Sequence, residues 1–427
     1  MTLHTRRMTM VVAALLLVAA GAWAQAGPPS AGPLDRLIDA AIADNPDLAT
    51  LRSRIEVAEA GVTQAGSLPD PQGMIALSNL PVGDLSLERS PMTGIQLGLR
   101  QMIPYPGRLD LKELAAQRDV SISRAMYQEA ENAVTREVKR TWHELYYLHR
   151  AVEVARLNKR LAEALTQVAD ALYSTGSRPQ QDLIKANVEV ARLVDRLVVL
   201  EELIDRSEAR LNGLLNRPPD APLPAPEVSF EPLDLSAQAL EGVALESRPL
   251  LLEAQAGMER AEIMVRLARM NLKPDFTVGF DYRIRAGSAM DPIAGQDMWS
   301  LSVGANLPWL NQDLHEAERD QADAMLDAAQ QQQSAMRNRV REALDNALES
   351  AQKSRRQASL YAEGLIPEAE LAFSAARSAY ETGMADMTSV LDTFRTLNGY
   401  QESYYRIVAD HQNAVADLEY VIGQRLR

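Results

Sequence analysis

The chain has 427 residues, a formal net charge of −14 and no cysteine. That acidity argues against nucleic acid as a partner, because phosphate binding needs a basic surface. Without cysteine there are no disulfides and no acylated N-terminal cysteine to serve as a lipid anchor.

The first residues read as a secretory signal. Arg6 and Arg7 precede an apolar run from Met10 to Ala20, and Ala22-Trp23-Ala24 follows as a cleavage site. Removal of residues 1–24 is expected, with cleavage after Ala26 as the alternative. Loss of Arg6 and Arg7 then takes the charge from −14 to −16. The apolar run is well short of the roughly 18–20 residues of a spanning helix, and no later segment has a long uninterrupted one. The mature chain is therefore either a soluble periplasmic protein or a β-barrel protein, whose alternating strands escape hydropathy. Its acidity suits a solvated surface or a cation-favouring lumen.

From there the chain predicts one grammar twice: helix, two strands, long helix, turn, long helix. A first helix is expected over about 34–68, stopping before Pro69. A weak strand over 74–80 follows, then one in which Ile95, Leu97 and Leu99 alternate with Gln96, Gly98 and Arg100. The next helix, about 108–173, spans on the order of 100 Å at roughly 1.5 Å per residue. Its Leu145, Leu148, Val152, Ala155 and Leu161 are spaced for coiled-coil-like packing. Residues 216–236 hold six prolines and read as a linker.

The second half repeats the pattern with a helix over about 236–272 and two clearer strands. Phe276, Val278, Phe280, Tyr282 and Ile284 alternate with polar residues and glycine, as do Trp299, Leu301, Val303, Ala305 and Leu307. A long helix over about 314–380 is interrupted at Gly364-Leu-Ile-Pro367. Four landmarks recur in order. Asn45-Pro46 returns as Arg248-Pro249 at an offset of 203, Pro69-Asp70 as Pro274-Asp275 at 205, Ile103-Pro104-Tyr105 as Leu307-Pro308-Trp309 at 204, and Tyr173-Ser-Thr-Gly176 as Tyr380-Glu-Thr-Gly383 at 207. The chain is a tandem duplication, 25–215 and 237–427.

One apolar and one polar face suit barrel strands, apolar to lipid and polar to lumen. Phe276, Tyr282, Trp299 and Trp309 near the strand ends would form an interfacial girdle. The alternative is a half-buried hairpin in a soluble protein. Four strands cannot close a barrel, and an open edge cannot sit in lipid. Three copies supply twelve strands, enough for a solvent-filled bore. The expected class is mainly α with a small β part. Catalytic chemistry is not expected. His143 and His149 lie about 240° apart around a helix and cannot share a metal. No phosphate-binding loop, nucleophile elbow, metal site or cofactor site is evident, so the chain is not read as an enzyme.

Ile366-Pro367-x-Ala369, Ala375-Ala376, Tyr380-x-x-Gly383, Val390-Leu391 and the closing segment from Tyr405 to Gly423 resemble the TolC-like outer-membrane efflux proteins. Asn45-Pro46, Pro69-Asp70-Pro71 and Gln101-x-Ile103-Pro104 fit the same family, and the likeness covers essentially the whole mature chain. The stretch from Gln101 to Arg108 is similar to its heavy-metal efflux branch. The resemblance implies a homotrimer with a twelve-stranded barrel in outer-membrane lipid and a periplasmic α-barrel of twelve helices. It also implies a periplasmic adaptor, an inner-membrane pump of the RND type, and service as a passive exit duct in efflux or type I secretion. The helix–turn–helix tips then close the tunnel. The gate residues carried over are Asp182 and Asp392, read as matching positions, with Tyr380 as the gate tyrosine. Ser389 stands where a further tip acid is often found, and Asp386 is the candidate to replace it. Thr175, Gly176, Ser177, Thr382, Gly383 and Met384 are the expected adaptor contacts. Asp182 and Asp392 also fit as plain helix-start acids set against the dipole. For the whole chain, the rival is a periplasmic coiled-coil spacer without a pore. Metal ions, drugs and a polypeptide all remain open as cargo.

Overall fold

Proline divides the opening helix in the computed structural model. The described residues are 32–427 apart from 81, 84–85, 89, 91, 229, 231–236, 288–294 and 427; the expected signal segment lies outside them. Helices α1 (Pro33–Asp44) and α2 (Pro46–Gly66) meet at Asn45. Its side chain accepts from the Asp47 and Leu48 amides and caps α2. The expected single helix over 34–68 is therefore two, because a residue before proline is steered to extended backbone, here ψ 122°. Strands β1 (Gln72–Ser78) and β2 (Gly94–Ile103) follow. Gly107, left-handed at φ +85°, turns the chain into α3 (Arg108–Ser174), which has 67 residues. Its partner α4 (Gln180–Leu214) completes the repeat.

In the second repeat Arg248 separates α5 (Ala237–Ser247) from α6 (Pro249–Met270), so the helix expected over 236–272 is also two. Strands β3 (Phe276–Arg285) and β4 (Met298–Ala305) come next, then a short 3₁₀ turn, Pro308–Leu310. The counterpart of α3 is assembled from α7 (Gln312–Leu360), a π-helical turn (Tyr361–Leu365) and α8 (Ile366–Glu381). Pro367 has no amide to donate into the ladder, and the wider turn absorbs the defect. The closing helix is α9 (Met387–Ile422), ended by left-handed Gly423.

Helix α3 packs against α2, α4, α6 and α9, while α7 packs against α6 and α9. Burial falls in separate clusters strung along the rod, one of them at the tips. Between clusters, α3 and α9 share a polar seam. Asn158 donates to Asn398 at 2.8 Å, Tyr147 to Glu402 at 2.9 Å, and Arg406 to Glu144 at 2.6 Å. Paired polar groups of this kind set register between long helices. His143 belongs to that seam: its Nδ1 lies 3.1 Å from Asn413 Oδ1, and burial pushes its pKa down to about 4.

The four strands form one antiparallel sheet in sequence order, with β2 and β3 joining the repeats. Leu97, Tyr282 and Trp299 align across β2, β3 and β4, as do Leu99, Phe280 and Leu301 in the next apolar row. Most of this apolar face is uncovered, with Leu301 66% and Val303 70% exposed and only Ile95 and Val278 half-buried among its large apolar side chains. No helix among the described residues is long and apolar enough to cross a membrane.

Candidate gate and tip site

Both tips are built by the same local chemistry. Gly176 at φ +71° and Gly383 at φ +87° take the left-handed conformation that ends a helix. The Gly176 amide donates to Tyr173 O at 2.8 Å and the Ser177 amide to Leu172 O at 2.9 Å. In the second tip, Gly383 donates to Tyr380 O at 3.1 Å and Met384 to Ala379 O at 2.8 Å. The next helix starts at Pro179 in one tip and at Asp386 in the other. Thr175, Gly176, Ser177, Thr382, Gly383 and Met384 are all exposed at the two turns.

The side chains do not repeat. Tyr380 is completely buried among Leu165, Ala169, Ala186, Met387, Val390 and Leu391, whereas its counterpart Tyr173 is 41% exposed. Arg178 explains part of the difference. It reaches from the first tip to the second, where its Nη2 donates to Tyr380 O at 2.9 Å and to Ala385 O at 2.7 Å. These carbonyls lie at and just beyond the C-terminal end of α8, where a cation is favoured. The same guanidinium sits 4.7 Å from the centroid of the Tyr380 ring. At offset 207 the second repeat has Ala385, so the tie runs one way only.

Asp182 and Asp392 are not equivalent, which corrects the expectation. Asp182 is the third residue of α4 and is buried close to the Tyr380 phenol. Asp392 is the sixth residue of α9 and is exposed, 3.6 Å from Arg395. The residue matching Asp182 is Ser389. Spacing already separates the two acids, since Asp182 follows its glycine by six residues and Asp392 by nine. Asp386 caps α9 by accepting from the Ser389 amide at 2.9 Å. The Tyr380 hydroxyl is buried without a well-formed hydrogen bond. Burial first, and then the neighbouring Asp182 carboxylate, push its pKa up to about 12, against the pull of Arg178.

A second tie lies deeper. Buried Glu189 on α4 accepts from Arg395 Nε at 2.9 Å and Nη2 at 2.7 Å. Nearer the tip, Lys185 donates to Thr388 at 2.8 Å. Sequence reading missed Arg178, Glu189 and Arg395. A basic residue between a capping glycine and the next helix was the one available signal for Arg178. Nothing in the spacing pairs Glu189 with Arg395, which are 206 residues apart.

A duplicated rod of long helices, with a lipid-suited sheet at one end and tied helical tips at the other, defines the class of a membrane-anchored duct subunit. The outer membrane efflux protein family model matches residues 37–217 and 240–424. The chain is 26% identical over 411 residues to the pyoverdine export outer membrane protein OpmQ of Pseudomonas putida, taking in 91% of this chain and 85% of that one. It is 23% identical over 398 residues to the cobalt-zinc-cadmium resistance protein CzcC of Cupriavidus metallidurans, covering 92% and 91%. Among solved structures it is similar in fold to the outer membrane protein VceC of Vibrio cholerae, with a TM-score of 0.78 at 18% identity over 92% of this chain and 97% of that one. The chain belongs to the outer membrane efflux protein family. It is an outer-membrane efflux channel subunit that extends into the periplasm.

Proposed function

We propose that three copies assemble into one duct, with a twelve-stranded barrel above and a bundle of paired helices below whose tips form a closed gate. The single observation that carries the gate is the Arg178 tie. One side chain of the first hairpin holds the last carbonyls of the second, so the two hairpins move apart only when that tie breaks. Trimerisation is supported by the open edges of β1 and β4 and by apolar side chains left exposed on α4, among them Ile184, Val188 and Val198.

In this reading a periplasmic adaptor engages the exposed turns at Thr175–Ser177 and Thr382–Met384 and biases the gate toward its open state. An inner-membrane pump of the RND type delivers the cargo, and the duct performs no chemistry of its own. The signal segment (1–24), the linker (216–236) and the two repeats (25–215 and 237–427) keep the roles assigned above. The named relatives suggest pyoverdine or the metals cobalt, zinc and cadmium as cargo. A pore-free spacer has no use for a sheet with one mainly apolar, exposed face.

Mass measurement of the detergent-extracted protein tests the assembly. A trimer is expected, and a stable monomer that inserts into bilayers would overturn it. In planar bilayers the wild-type channel should be mostly closed, and Arg178→Ala open about tenfold more often or beyond. Equal open probabilities would remove Arg178 from the gate.

A further inference from the structure

All charged residues of the four strands lie on the polar face of the sheet, and their sign opposes that of the chain. They are Arg100 on β2 and Asp281, Arg283 and Arg285 on β3. Three arginines against one aspartate leave +2 per chain, within a protein whose net charge is −14. Three chains would bring +6 to one bore.

The face is built to hold these groups flat. Arg283 lies over Gly94, where an added Cβ would come within 3.0 Å of its Cγ. Asp281 lies over Gly98, and a Cβ there would meet its carboxylate at 2.6 Å. Arg100 lies over Gly279, at 3.4 Å by the same measure. Each of these long or charged side chains thus rests on a glycine of the adjacent strand. The glycines leave room for these side chains to lie along the sheet. Gln96 handles the one carboxylate: its amide donates to Asp281 Oδ1 at 2.8 Å, and its carbonyl accepts from Arg283 at 3.5 Å. Asp281 is therefore hydrogen-bonded without consuming a guanidinium. Arg100 is exposed and has no ion pair or hydrogen bond among the described residues, and Gln96 is the one such partner of Arg283.

We propose that this face is an anion filter in the outer half of the duct, with Arg283 and Arg100 forming two rings of guanidiniums that recruit solutes bearing phosphate, carboxylate or sulfate groups. The rings lie four residues apart along the strand, about 13 Å at roughly 3.3 Å per residue. Guanidinium groups match the planar or tetrahedral oxygens of such anions through paired donors. Rings of arginine or lysine are the usual lining of pores that favour anions. The inference rests on the trimeric channel reading and extends it to the class of cargo.

Inorganic tripolyphosphate is the probe, added to one side at a time of the full-length channel in planar bilayers at about 0.1 M salt, where the Debye length is about 10 Å. Block is expected from the side of the strand-connecting loops and not from the tip side. Arg100→Gln with Arg283→Gln should weaken that block by about tenfold or more, while Arg100→Lys with Arg283→Lys, which keeps the charge, should retain most of it. Asp281→Asn should strengthen it, and 1 M salt should abolish it. A conducting channel whose block is the same in the glutamine double variant overturns the filter and leaves the channel standing. Block is read on open events, with Arg178→Ala as the background wherever the closed gate makes them rare. If that open-gate background conducts neither with the native arginines nor with the lysine pair, the pore reading falls, and the filter with it.

Discussion

Two tips share one backbone design and differ in nearly every side chain that matters. In the first, Tyr173 is exposed and Arg178 leaves its own hairpin to hold another. In the second, Tyr380 is fully buried and the carbonyls of Tyr380 and Ala385 receive that arginine. Duplication supplied the glycine-capped turns, and divergence made one turn the donor and the other the acceptor. The deeper tie follows the same rule. At offset 207, Glu189 has Thr396 as its counterpart, and Arg395 has Val188, so this ion pair also runs one way. A latch between two copies of a motif needs such asymmetry, because identical tips offer like charges to each other.

The comparison breaks most visibly at the tyrosines. Tyr380→Ala empties a fully buried site and should cost about 3–5 kcal/mol. Tyr173→Ala, at a half-exposed site, should cost within about 1 kcal/mol. Denaturant unfolding of the extracted protein measures both, and equal losses would dissolve the distinction between the tips.

Next in size is the arginine tie. Hydrogen bonds from a charged donor contribute roughly 1.5–3 kcal/mol each, less for a partly exposed group such as Arg178. Arg178→Ala should therefore raise spontaneous open probability by about tenfold or more. Arg178→Lys keeps the positive charge but has a shorter side chain and loses the planar guanidinium that lies against the Tyr380 ring, so it should lie between.

A pH experiment sharpens the role of the buried phenol. The closed tip keeps Tyr380 neutral up to about 12, against an ordinary value of 10.0. Between those values an opened tip has ionised its phenol and the closed tip has not, so the closed state loses stability as pH rises through that window. Alkaline opening should be seen in single-channel records and be absent in Tyr380→Phe. Because the hydroxyl has no well-formed hydrogen bond, Tyr380→Phe should scarcely alter opening at neutral pH. The smallest effect belongs to Asp386→Ala, which removes a cap worth about 1 kcal/mol. Hydrogen exchange should show faster fraying at the start of α9, with the gate otherwise intact.

Much of the architecture was legible because it rests on short-range rules. Strand parity at Phe276–Ile284 and Trp299–Ala305 follows from alternation alone, and the sheet shows it. Glycine at 176 and 383 marks helix ends because a left-handed residue is needed there. The offset landmarks revealed the duplication, and the 67 residues of α3 needed only an unbroken helical pattern. Proline's effect on its neighbour was also available, yet the breaks at Asn45 and Arg248 were read as continuous helix.

Sequence by itself thus determined strand faces and turn positions, which depend on residues within a few positions of one another, and the repeat, whose landmarks keep their order and a nearly constant offset. Tertiary structure alone decided that Arg178 crosses to Tyr380 and Ala385, and that Glu189 meets Arg395. It also decided that Asp182 is buried beside a phenol while Asp392 stays exposed. The physical reason is that these contacts join residues about two hundred positions apart. Their geometry is set by how two hairpins pack, and no local periodicity encodes that.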